Sequence, residues 1–127
     1  MSDYAYIDAA VYVVVPKDDT NRTLSLARSK VEGMCVDMPK IRGSEYAVSS
    51  PVQVSHLSKD GYKVRVEACG IMRDRRRDDV VNQWRALLVF LRNKFGCEPV
   101  VEYSYMTENM DAWLKFKTKR EKRMHRK

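Results

Sequence analysis

VQVSHLSKDGYKVRVEACGI, residues 52–71, is the stretch whose reading decides the fold. Two runs rich in valine, each alternating apolar with polar residues, flank Lys59-Asp60-Gly61. Alternation with period two is the mark of a strand, and a short polar insert containing glycine marks a hairpin. Gly61, free to take the left-handed conformation, is predicted to close a three-residue loop. That loop sets Val52, Val54 and His56 opposite Ala68, Val66 and Val64 on one face. Gln53, Ser55 and Leu57 then lie opposite Glu67, Arg65 and Lys63 on the other. A two-residue loop would set apolar residues against charged ones, so the longer loop is preferred.

Working upstream, residues 4–15 read YAYIDAAVYVVV and stop at Pro16. Their β-branched residues and tyrosines predict a strand. Ala5, Ile7, Ala9, Val11, Val13 and Val15 form one uniformly apolar side. Tyr4, Tyr6, Asp8, Ala10, Tyr12 and Val14 form the other, as in a strand packed on helices by one face and partly wet on the other. Between this strand and the hairpin, Leu24, Ala27, Val31 and Met34 recur at helical spacing. Asp18, Asp19 and Thr20 offer N-cap groups, and Pro39 requires the helix to end before it. Residues 40–51 read as a loop with a short strand at Glu45 to Val48.

Downstream, Val81, Trp84, Leu88, Leu91 and Phe95 fall at steps of three and four, with Val80, Leu87 and Phe90 widening the stripe. That predicts a long helix, capped by Asp74 or Asp78 and stopped by Gly96. Residues 98–106, EPVVEYSYM, read as a strand beginning at Pro99. Thr107 is then expected to cap a last helix, with acids in its first turn and bases in its last.

The order β-α-β-β-α-β is that of a ferredoxin-like α+β domain, an antiparallel four-stranded sheet with two helices on one face. The last helix comes as an addition. The other sheet face is either open or covered by that helix. At 127 residues the chain is of single-domain length and large enough to bury a core without disulfides or metals. The reading divides it into an α+β body, 1–112, and a basic helix or tail, 113–127. No repeat is visible at the scale of 20–50 residues.

The tail, WLKFKTKREKRMHRK, holds eight bases and one acid, a balance of +7. The whole chain has 24 bases and 17 acids, so residues 1–112 carry sixteen of each and are neutral. All the excess charge therefore sits at one end, which costs self-repulsion and builds no core. After Phe116 the next apolar residue is Met124, so the second half of the segment is predicted to fray until something binds it.

Enzyme chemistry finds little support. Only two histidines are present, His56 and His125. His56 falls on the hairpin side assigned to the core, where a structural role is expected. Asp18-Asp19 and Asp78-Asp79 are adjacent pairs at helix starts, and capping explains them. Cys35, Cys69 and Cys97 are odd in number and irregular in spacing, neither a disulfide framework nor a zinc pattern, which fits a reduced, intracellular setting. No phosphate-binding glycine loop is present, and no cofactor is expected.

Three groups point instead to a polyanion. The first is the tail: Lys115, Lys117, Lys119, Arg120, Lys122, Arg123, Arg126 and Lys127. The second is Arg73, Arg75, Arg76 and Arg77. Four bases at a helix start oppose the dipole, so either phosphate binding or salt bridges to Asp74, Asp78 and Asp79 must offset them. The third is the sheet face carrying Tyr4, Tyr6, Tyr12, Lys63 and Arg65, which could stack bases and hold a backbone if it is open. The expectation is a non-enzymatic nucleic-acid-binding protein in a regulatory role. Single-stranded DNA or RNA is favoured, with little sequence specificity. The alternative is a protein-interaction module, an inhibitor or adaptor that docks through its sheet, a surface through which such domains also pair into oligomers. Membrane attachment is not expected, because the tail has no sustained apolar face.

Overall fold

A computed structural model describes residues 3–45 and 48–125, with side chains to Lys122. Four strands and three helices follow one another as β1 (Tyr4–Pro16), α1 (Leu24–Met34), β2 (Val52–Ser58), β3 (Gly61–Arg73), α2 (Arg77–Phe95), β4 (Val100–Thr107) and α3 (Met110–His125). The strands form one sheet in the order β2-β3-β1-β4, and every pairing is antiparallel. The architecture is α+β.

The odd-numbered residues of β1 face the main core, as their uniform apolarity requires. Ala5, Ile7, Ala9, Val11 and Val13 pack there with Val64, Val66, Ala68 and Met72 of β3. Ala27 and Val31 of α1 and Val80, Trp84, Leu87 and Leu91 of α2 close the same cluster. The stripe on α2 is thus centred one residue before Val81 and Leu88, which lie at its margin. Gly96 ends α2 in the left-handed conformation, φ 69°, and its N–H reaches Arg92 O.

Both helix starts differ from expectation. Thr23, not Asp18–Thr20, caps α1, its hydroxyl accepting from Leu26 N at 3.2 Å. Asp18 instead organises the preceding turn by accepting from Thr20 N and Thr20 Oγ1. Those bonds hold its carboxyl below the usual range. At α2 the Asp79 carboxylate accepts from Arg76 N at 2.9 Å, so neither Asp74 nor Asp78 is the cap. Asp74 itself turns the chain with φ 59°.

The hairpin keeps its faces but not its register. Val54 pairs with Val64 and Val52 with Val66, two residues from the expected partners. A shift of two preserves which side each residue faces, so alternation could not distinguish the registers. The difference is taken up by a bulge at Leu57, which leaves Ser58 opposite Gly61. Gly61 is therefore an ordinary strand residue paired with Pro16, not a left-handed turn residue. His56, at the open end of that face, is exposed, its ring 5.3 Å from that of Tyr62. The short strand expected at Glu45–Val48 includes Tyr46 and Ala47, which lie outside the described residues. Around them Val48 N donates to Ile41 O, and Ser49 bridges Cys69.

Candidate nucleic-acid interface

The C-terminal segment, expected to fray past Phe116, is helical through the described residues. α3 runs to His125 and lies on the second sheet face, the one carrying the even-numbered residues of β1. Its start is set by Asn109, whose side chain accepts from Ala112 N at 2.9 Å. Thr107, the expected cap, ends β4. Trp113 is buried over Tyr6, ring centroids 5.2 Å apart. Phe116 stacks on Tyr105 at 4.3 Å, with planes 12° from parallel. The ammonium of Lys117 folds back over the Trp113 ring at 4.6 Å.

One turn further on, where apolar residues run out, a charge takes over the anchoring. Arg120 stands 3.2 Å from the carboxylate of Asp8, bonds the Tyr103 hydroxyl and lies over the Tyr103 ring. The Asp8 side chain is 1 % exposed, and neither oxygen has an aligned hydrogen-bond donor. Burial raises its pKa. The charges of Arg120 and Lys117 oppose that rise, and Glu67 adds to it. A carboxylate in a strand interior is costly unless a cation covers it. Asp8 was legible as the single acid within an otherwise apolar and tyrosine strand. Tyr103 and Tyr105, also missed, alternate in β4 and face Ala10 and Asp8 across the pair.

Of the tail bases, then, Lys117 and Arg120 point inward. Lys115, Lys119 and Lys122 point away from the sheet, at i, i+4 and i+7 along one side of α3. All three are exposed, and none makes an ion pair among the described residues. Arg126, Lys127 and the side chain of Arg123 lie outside the described residues.

Three of the four arginines around the start of α2 form salt bridges, two of them with acids other than the expected Asp74, Asp78 and Asp79. Arg73 pairs with Glu45 at 2.6 Å, Arg76 with Asp3 at 3.7 Å and Arg77 with Asp78 at 3.9 Å. Arg75 donates to the backbone oxygens of Arg42 and Asp74, and Arg77 to that of Met106. These exposed pairs are individually weak, but the group as a whole is close to neutral.

Of the two alternatives for the tyrosine face, open or covered by the last helix, the structure has the covered one. Tyr6 is 3 % exposed because Trp113 sits on it. Tyr4 keeps 38 % of its surface at the sheet end, and Tyr12 is half-buried under the Lys63 ammonium, 4.5 Å from its ring. Lys63 and Arg65 each reach Glu102 at 3.1 Å, and Arg65 also pairs with Glu67. Desolvation pushes the Glu102 carboxyl up, but the bonds and charges of Lys63 and Arg65 together outweigh it, and its pKa is lowered. Glu102 reaches this face through a bulge: Ala10 pairs with Tyr103 and Val11 with Val101, so Glu102 is the extra residue of β4.

Among the described residues no group of three or more His, Cys, Asp or Glu could hold a metal ion. Nor, among the described residues, is any helix long and apolar enough to cross a membrane. No family model matches the chain, and no curated protein or solved structure is similar to it.

Proposed function

We propose that this chain is a ferredoxin-like domain that binds nucleic acid without catalysis, in a regulatory role and with little sequence specificity. The observation that carries the reading is the outward row of Lys115, Lys119 and Lys122 on a helix whose inner side is already committed to the sheet. Seven residues of helix span about 10 Å. A duplex strand presents a phosphate about every 3.4 Å of axis, so the row faces about three of them. A lysine row reads charge and not base edges, hence the weak sequence preference. The remaining bases of the tail add to the same field.

Preference for a single strand rests on stacking, and of Tyr4, Tyr6 and Tyr12 only Tyr4 and Tyr12 keep ring surface for it. Phosphate contact is the leading contribution, with DNA and RNA as equal candidates. The alternative of a protein docking on the sheet loses much of its surface to α3.

The test is fluorescence anisotropy of labelled single- and double-stranded oligonucleotides over a range of salt. Comparing the parent with the Lys115→Gln/Lys119→Gln/Lys122→Gln variant should reduce the slope of log K against log salt by about 2 on a single strand and about 2.7 on a duplex. Equal slopes for parent and variant would overturn the reading.

A further inference from the structure

Where the first turns of α3 leave the sheet, a groove of about 610 Å³ opens between the helix and the ends of β1 and β3. That volume falls within the range of small-molecule sites. Tyr4, Tyr6, Ile71, Met110 and Trp113 give it an apolar, largely aromatic wall, with Cys69 and Gly70 in its floor. Among the described residues one charged side chain lines it, that of Lys117.

The charge of Lys117 acts on Asp8 at a distance but makes no direct bond to that carboxylate. The one carboxylate buried beside it, Asp8, is covered by Arg120 at 3.2 Å, and Glu67 is held by Arg65. Lys117 makes no ion pair among the described residues and rests on the face of Trp113. The Tyr4 ring, 38 % exposed beside the buried Tyr6 and Trp113, favours a planar occupant over a flexible chain, since rings stack or meet edge to face. An ammonium at the rim favours an anionic end.

We infer that this groove binds a small aromatic monocarboxylate, its ring against the exposed parts of Tyr4, Ile71 and Met110 and its carboxylate on Lys117. The site is separate from the outward lysine row, and the inference does not depend on nucleic-acid binding.

The probe is 2-naphthoate, with 2-naphthamide as an uncharged match of nearly the same shape, both titrated by calorimetry into the full chain. Naphthoate should bind saturably at one site and more tightly than the amide. Lys117→Gln should weaken naphthoate by about tenfold or more and leave the amide unchanged, while Lys117→Arg retains naphthoate binding. Ile71→Trp, which fills the groove from a partly exposed position, should abolish both. Circular dichroism checks that each variant folds. If Ile71→Trp does not, the Gln and Arg variants at Lys117 decide alone. The inference is overturned by absence of saturable naphthoate binding at millimolar ligand, by equal affinity for acid and amide, or by indifference to Lys117→Gln.

Discussion

Replacing Arg120 with glutamine removes the cation that covers Asp8 while keeping a side chain of similar length. The Asp8 side chain is 1 % exposed and Arg120 is 28 % exposed, so the carboxylate cannot turn to water unless α3 moves. Three responses are open. A bare charge left in place costs about 3–5 kcal/mol. Taking up a proton at pH 7 costs a carboxyl of ordinary pKa about 4 kcal/mol, at 1.36 kcal/mol per unit. Lifting α3 exposes Trp113 and Phe116, each contributing about 1.5–3 kcal/mol by burial. The cheapest route sets the loss, and the parent already bears part of the burial cost, so about 3 kcal/mol is expected at pH 7.

At pH 5 protonation costs only about 1.5 kcal/mol, and the loss should shrink to match. The sign follows from the raised pKa of Asp8. A carboxyl that binds its proton more tightly when folded contributes stability that is full below its unfolded pKa and is lost as pH rises through the folded one. Asp8→Asn should therefore be close to neutral at pH 7, and the double variant should recover most of what Arg120→Gln loses. Urea denaturation at both pH values, with hydrogen exchange over residues 110–122, reads the result. A loss under about 1 kcal/mol at pH 7, or one that does not change between pH 5 and pH 7, would refute the role assigned to Arg120.

Three further outcomes follow from local geometry and charge. A methyl at Gly43 would overlap the backbone carbonyl of Arg73, so Gly43→Ala should cost at least about 2 kcal/mol in thermal or urea unfolding. In contrast, Gly33 lies on the exposed side of α1 with nothing near its missing Cβ, and Gly33→Ala should stabilise by up to about 1 kcal/mol. Glu102→Gln removes the shared acceptor of Lys63 and Arg65 and should cost about 1 kcal/mol at neutral pH. Because the Glu102 carboxyl is lowered, its contribution is present above the unfolded pKa. The difference from the parent should disappear in acid as pH falls through the folded value.

The elements built on short-range pattern were readable. α2 is written in its apolar spacing and in Gly96, and β1 in two faces of different character. The hairpin shows the limit of that signal. Side-chain alternation reports a face but not which of two registers of equal parity is used, and the bulge at Leu57 leaves no mark in composition. The anchoring of the second half of α3 was missed for a related reason. Its apolar stripe stops at Phe116, and what holds the next turn is an ion pair between residues from opposite ends of the chain, Asp8 and Arg120. A search for apolar periodicity does not weigh one acid in a strand against one base in a helix. The tail charge was legible, but its division into inward Lys117 and Arg120 and outward Lys115, Lys119 and Lys122 required the helix to be placed. The arginines before α2 were balanced between two readings, and only the positions of Asp3 and Glu45, distant in sequence, distinguish them.

The bulge at Glu102 has an effect on the molecule's neighbours as well as on its own sheet. β4 is an edge strand, and Val100 and Val101 are exposed along it, a row on which another chain could template itself. The inserted residue breaks the even spacing of free amide and carbonyl groups just past those two valines and puts a carboxylate beside the break. An incoming strand finds only a short straight stretch to pair with before its register fails. The same kink that delivers Glu102 to Lys63 and Arg65 thus hinders fibrillar growth from this border, and straightening it by deleting one residue would leave the valine edge unguarded.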